Sequence, residues 1–245
     1  MVNVPGHLER TRMLLGDEAI GRLRQARVIV FGVGGVGGHA AEALVRCGVG
    51  HIDVVDDDVV SVTNINRQVI ATSSTVGRPK VDVMAERLRD IDPTCEVTAH
   101  RCFYLPQNAD EFDLSRYDYV VDAVDTITAK LHLVSQAKAA GTPVISSMGA
   151  ANKLDPTAFR VADIEETSIC PLARIMRKEA RKRGLGHFKV VFSVEPARKP
   201  EGAIEALSEE RPGSSRRSMP GSVSFVPPAA GMALAGAVVM DLVAG

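Results

Sequence analysis

The chain has 245 residues, 45% of them hydrophobic, which suits one domain with a sizeable core. Its 29 Lys and Arg stand against 30 Asp and Glu, a formal charge of −1, so no overall basicity announces nucleic acid and DNA is not an expected partner. The start is polar and charged rather than a signal peptide, and four unpaired-looking cysteines suit a reducing compartment, so a cytoplasmic location is expected.

In chain order, Arg12-Met13-Leu14-Leu15-Gly16 precedes the first strand. Val28–Phe31 is an apolar run of the kind a parallel strand covered on both faces requires. Gly32, Gly34, Gly35 and Gly37 come at once after it, and His39–Val45 reads as an alanine-rich helix. Glycines there let the backbone approach a phosphate, and the helix N-terminus behind them offers unpaired N–H groups. A second strand, Ile52–Val55, ends in Asp56, Asp57 and Asp58. Asp56 lies near the roughly 20-residue offset at which a carboxylate grips ribose hydroxyls.

These features are common to every dinucleotide-binding fold, but the next segment is not. Asn64-Ile65-Asn66-Arg67-Gln68 comes after the acids, then Thr75-Val76-Gly77-Arg78-Pro79-Lys80, with Lys80 opening a helical run through Arg89. A nicotinamide site has no use for two such cations. Splitting ATP requires charge to be neutralised on a triphosphate and on leaving pyrophosphate, and cationic clamps, usually with magnesium, supply that. Arg67 offers a planar fork to phosphate oxygens and Lys80 a mobile point charge. Further on, Val120–Asp125 reads as an apolar strand ending in Asp125.

Acid cluster, N-x-x-R and G-x-P-K together resemble the adenylation domain of the ubiquitin-activating-enzyme-like superfamily. The resemblance implies that Gly32, Gly34, Gly35 and Gly37 form the nucleotide loop and Asp56, with Asp58 beside it, holds the ribose. Asn64, Arg67, Gln68 and Lys80 then make the triphosphate and catalytic contacts, and Asp125 is the magnesium-associated aspartate. Arg12 would reach into a partner subunit's ATP site, which implies a homodimer. The fold implied is α/β: a Rossmann-like, doubly wound, mostly parallel sheet with appended C-terminal strands and helices. Residues 1–165 would form the nucleotide-binding core, and 166–245 an extension completing substrate binding and the dimer.

The cysteines sort the branches. Cys47, Cys95, Cys102 and Cys170 contain no CxxC pair, so the structural zinc of the sulfur-carrier activators is not expected. Cys170 precedes Pro171 at the start of a helix running to about Arg183, where a helix dipole could lower a thiol's pKa. It is either an acceptor of acyl or sulfur groups or an ordinary residue beside a cap. The segments Ser147-Met148-Gly149-Ala150, Leu154-Asp155-Pro156-Thr157, Phe159–Asp163, Val190-Val191-Phe192-Ser193-Val194-Glu195-Pro196 and Gly221–Gly231 resemble the tRNA threonylcarbamoyladenosine dehydratases across essentially the whole chain. That branch uses ATP to activate a carboxylate in modified tRNA, which then cyclises with loss of water. The alternative is an activator of a ubiquitin-like sulfur carrier, and a sulfur-relay protein stays open as a partner.

Cations cluster at Arg174, Arg177, Lys178, Arg181, Lys182 and Arg183, and again at Arg211, Arg216 and Arg217, as contact with a phosphate backbone requires. The stretch 199–221 reads as a mobile loop crossing the ATP site. Phe225–Met240 is apolar but interrupted by Pro227-Pro228 and closed by Asp241, short of the roughly 20 residues of a membrane span. It reads as a buried closing helix, and a membrane association is not expected.

Overall fold

The computed structural model describes residues 5–199 and 220–244. Most of the 199–221 stretch, with Arg211, Arg216 and Arg217, lies outside the described residues. Two short helices, α1 (Glu9–Leu15) and α2 (Asp17–Gln25), precede the first βαβ unit, formed by β1 (Arg27–Phe31), α3 (Gly37–Arg46) and β2 (His51–Val55). Then come α4 (Lys80–Ile91), β3 (Glu96–His100), β4 (Tyr119–Asp122), α5 (Ile127–Ala140) and β5 (Val144–Ser147). The chain closes with β6 (Phe159–Asp163), α6 (Pro171–Lys182), β7 (Lys189–Ser193) and α7 (Val226–Ala244).

The seven strands form one sheet in the order β3-β2-β1-β4-β5-β7-β6. All neighbours pair parallel except β6, which runs antiparallel to β7 at the edge. The apolar run of β1 is explained by what covers it. Val28 and Val30 join a core with α3, α4 and α7, whereas Ile29 and Phe31 join a core with α5 and α6 on the other face. Strand order reverses between β1 and β4, and ligands of such sheets bind in the crevice outside the carboxyl ends at that point.

The C-terminal extension is woven into this frame. β7 inserts between β5 and β6, and α7 packs chiefly along α3. Two expectations need correcting. β4 stops at Asp122, three residues before Asp125, because Ala123 turns away beneath the glycine turn. And α7 is a continuous 19-residue helix: Pro227 and Pro228 occupy its first turn, where a missing N–H costs nothing. Asp241 does not end α7 but accepts from Tyr119 Oη at 2.6 Å and Lys189 Nζ at 2.6 Å, tying the helix to β4 and β7. By length and composition α7 could cross a membrane, with 44% of its apolar window buried in this fold.

Candidate active site

The glycine turn lies at the end of β1, and each glycine answers a different demand. Gly32 has φ of +90°, and a Cβ there would meet the Ala123 carbonyl oxygen at 2.7 Å. A Cβ on Gly37 would come within 1.8 Å of the Gly32 carbonyl oxygen, so helix and strand touch backbone to backbone. Gly35 is closed in by Arg67 Cγ and Pro227 Cβ, each 3.2 Å from its notional Cβ. Gly34 alone meets nothing within 4 Å, so packing does not demand it, and open space lies over the turn. Behind it α3 presents the orphan N–H groups of a helix N-terminus.

Asp56 stands just beyond β2 and faces this turn. Its Oδ2 accepts the Val33 N–H at 2.7 Å and its Oδ1 the Asp58 N–H at 2.9 Å. Burial pushes its carboxyl above the ordinary range, opposed by the charge of Lys80 and by these two N–H donors. Asp58 takes the ammonium of Lys80 at 2.8 Å, and Lys80 returns its own N–H to the Asp58 carbonyl at 3.0 Å. Lys80, the first residue of α4, is only 5% exposed. Asp57 is exposed, and the three carboxylates lie within 4.8 Å of one another.

Arg67 reaches the same place from the segment after the acids. Its stem lies against Gly35, while its Nη1 donates to the Thr63 carbonyl and to Asn66 Oδ1, both at 2.9 Å. Burial lowers the guanidinium pKa from its usual value. Asn64 accepts the Ser61 N–H at 3.1 Å through Oδ1, closing a capping box around Val62–Asn64. Gln68 is 6% exposed, and its buried Oε1 has no hydrogen-bond partner among the described residues. An acceptor so placed beside the arginine is the kind of group that a bound ligand or water satisfies. The turn, acids, Arg67 and Lys80 thus form one constellation at the carboxyl ends of β1 and β2.

Residues 8–223 match the ThiF family. The chain belongs to the ThiF family. Among its relatives is the tRNA threonylcarbamoyladenosine dehydratase of Bacillus subtilis, 45% identical over 241 residues, which are 95% of this chain and 93% of that protein. The crystal structure of the Escherichia coli tRNA N6-threonylcarbamoyladenosine dehydratase in complex with ATP superposes with a TM-score of 0.86 at 32% identity, over 97% of this chain and 94% of that one. A sulfur carrier protein adenylyltransferase of Thermus thermophilus is 38% identical over 131 residues, which are 54% of this chain and 48% of that protein.

The remaining residues of this ThiF-family chain fall into three groups. Asp125 is exposed in the bend after β4. Arg12, on α1, pairs with Glu9 at 2.8 Å and Asp17 at 3.2 Å rather than with any residue of the constellation, and Met13 and Leu14 beside it are 82% and 88% exposed. On α6, Arg177 is spent holding Thr167, through its carbonyl and hydroxyl oxygens, and Arg181 and Lys182 pair with Glu165 and Glu179. Arg174 and Lys178 are exposed on the same helix, and Arg183 is exposed at its C-cap. Cys170 is 3% exposed at the N-cap of α6.

Three supporting groups were not singled out by the sequence. Asn66 bridges Arg67 to the Ser222 carbonyl, to which its Nδ2 donates at 3.0 Å. Gly231 of α7 would place a Cβ 2.5 Å from the Val36 carbonyl, so α7 rests on the glycine turn itself. Asp122, Lys130 and Ser146 form a buried polar network beneath it. The sequence does not single out Gly231, because Gly236 in the same apolar helix meets nothing within 4 Å.

Proposed function

We propose that the chain uses ATP to activate the carboxylate of N6-threonylcarbamoyladenosine in tRNA, which then cyclises with loss of water. The observation that carries this reading is the joining of a half-buried acid, Asp56, and two cations around one glycine turn, in a chain matched along nearly its whole length by a named dehydratase. The glycine turn and Asp56 would hold the nucleotide. Arg67 and Lys80 would bear the charge on the phosphates, Gln68 would add a polar contact, and Asn64 would orient the α-phosphate region.

A carboxylate is a poor electrophile because oxide would have to leave. Attack of its oxygen on the α-phosphorus expels pyrophosphate and gives a mixed anhydride with AMP. The neighbouring carbamoyl group then attacks the acyl carbon and loses its N–H proton to solvent, AMP departs with the carboxylate oxygen, and ring closure gains from high effective molarity. None of these steps needs a thiol, in keeping with Cys170 buried at a helix cap. Magnesium fits the available donors, since Asp125 is an oxygen ligand and this ion takes one or two carboxylates plus phosphate oxygens. When bound it would neutralise phosphate charge.

α6 would present Arg174, Lys178 and Arg183 to the tRNA backbone, and Arg12 would complete the site of a second copy in a homodimer. The same reading makes the chain a cytoplasmic enzyme acting on tRNA, with α7 serving as a core helix. Exchange of labelled pyrophosphate into ATP tests the proposal. Exchange that requires tRNA bearing threonylcarbamoyladenosine supports it; exchange that requires a small protein ending in Gly-Gly would replace it with sulfur-carrier activation. Mg-ATP at 100 times its dissociation constant should also stabilise the fold by about 2.7 kcal/mol, with no comparable effect of NAD.

A further inference from the structure

Beneath the glycine turn lies an ion pair that the roles above leave unused. Asp122 ends β4 fully buried, Lys130 on α5 is 1% exposed and Ser146 on β5 is fully buried. Lys130 Nζ lies 3.1 and 3.2 Å from the two carboxylate oxygens and 3.4 Å from Ser146 Oγ, and the Ser146 hydroxyl donates to Asp122 Oδ2. Taking two charges out of water costs several kcal/mol each, and an apolar pair of similar volume is often at least as stable. Stability is therefore a weak reason for this pair, and what it holds matters more.

What it holds is the turn 122–125. Asp122 Oδ1 accepts the Val124 N–H at 3.2 Å, and the Ala123 N–H donates to the Phe31 carbonyl at 2.8 Å. From above, the Ala123 carbonyl fills the place a Gly32 side chain would take, and Ala123 Cβ lies 3.0 Å from the notional Cβ of Gly37. One carboxylate thus fixes the turn that floors the glycine loop and carries Asp125. A lysine on the first turn of α5 and a serine on the next strand fix that carboxylate in turn.

We propose that Lys130 is a positioning residue for nucleotide activation, with Ser146 completing its hold on Asp122. It sets the Ala123–Asp125 turn so that Asp125 and the glycine turn address the same triphosphate. The proposal rests on reading Asp125 as the magnesium-associated carboxylate, and the experiment separates the two. Mn2+ bound with ATP is measured by electron paramagnetic resonance, alongside metal-free ATP binding by calorimetry, for Lys130→Met, Ser146→Ala and Asp125→Asn. Lys130→Met should weaken Mn2+ binding at least tenfold while metal-free ATP affinity stays within threefold. Ser146→Ala, which keeps the ion pair, should shift it two- to threefold in the same direction and decides the matter if Lys130→Met does not fold. Asp125→Asn should match Lys130→Met. If Asp125→Asn weakens the metal and folded Lys130→Met or Ser146→Ala does not, the positioning role is wrong while the Asp125 reading stands. If Asp125→Asn leaves the metal unmoved, the Asp125 reading fails and the proposal with it. A loss of thermal stability with unchanged metal binding marks Lys130 as structural only.

Discussion

Under the proposed function Lys80 and Arg67 would serve the same phosphates by different means, and their settings separate what each deletion should do. Replacing either by alanine should lower pyrophosphate exchange by on the order of a hundredfold or more, as loss of a preorganised charge commonly does; a wild-type rate would remove that residue from the site. The stability effects should differ. Lys80 is buried against Asp58, which is itself a third exposed, so Lys80→Ala should also cost about 1 kcal/mol in urea unfolding. Arg67 gives up hydrogen bonds to Thr63 and Asn66 and the packing of its stem on Gly35, but no ion pair, and its loss should be smaller. Asp56 adds a pH dependence. Burial, the largest influence, raises its pKa against Lys80 and two N–H donors. In the free protein it therefore adds stability below the unfolded value of about 3.9, and that contribution is lost as pH rises through the folded value. In its proposed role as ribose ligand Asp56 would need to be an ionised acceptor, so ATP affinity should fall as pH drops through the same folded value. Carbon NMR of the Asp56 carboxyl with parallel ATP titrations checks this, and a midpoint at or below about 3.9 would contradict it. That Asp56, Arg67 and Lys80 gather at one place was legible because each belongs to a motif of residue type and spacing, although Asp56 meets Val33 and Lys80 meets Asp58 across more than 20 residues. Asp122 was not: Ala123 and Val124 are apolar and extend the strand pattern to Asp125, whereas the stop is set by Gly32, Lys130 and Ser146, none of them adjacent in the chain.

Among the elements, α7 decides whether the glycine turn keeps its shape. Gly231→Ala should force a Cβ toward the Val36 carbonyl and the start of α3, neither of which is a flexible side-chain end. Overpacking of that kind costs about 1–3 kcal/mol, and here it should also weaken ATP binding if the displaced backbone is the nucleotide loop, as the proposed function has it. Unchanged melting and ATP affinity would show that the helix does not buttress the turn. In the proposed function α6 would act on the other substrate. Reversing Arg174, Lys178 and Arg183 to glutamate should weaken tRNA binding at least tenfold and flatten its salt dependence, with ATP affinity unchanged. Equal tRNA binding by the variant would leave α6 as a solvated face. Pro171 at its first position made α6 readable, and its apolar Ala173, Met176 and Ala180 fall on one face. α7 was readable as an apolar helix, but its length was not. A proline pair reads as an interruption unless one knows that it opens the helix, and Asp241 reads as a stop unless Lys189 and Tyr119 are known to meet it.

At the scale of the whole molecule, Arg12 stands apart from the constellation of its own chain. It sits on α1 between Glu9 and Asp17, in exposed ion pairs that solvent screens, so leaving them for a phosphate costs little. Met13 and Leu14, exposed beside it, offer apolar surface for a neighbouring copy to cover. An arginine delivered this way would stabilise charge only after assembly, as an arginine finger does in trans. Sedimentation should therefore show a dimer, and Arg12→Ala should lose turnover without losing ATP binding. Mixed with Lys80→Ala, which keeps Arg12, it should regain activity: in a heterodimer the site with intact Lys80 receives Arg12 from the other subunit. At most one of the two sites in such a dimer is complete, so recovery should stay below half of the wild-type rate per dimer. Demonstrably mixed dimers without recovery, or a fully active monomer, would assign Arg12 to its own subunit's surface and leave Lys80 and Arg67 as the cations that bear the phosphate charge.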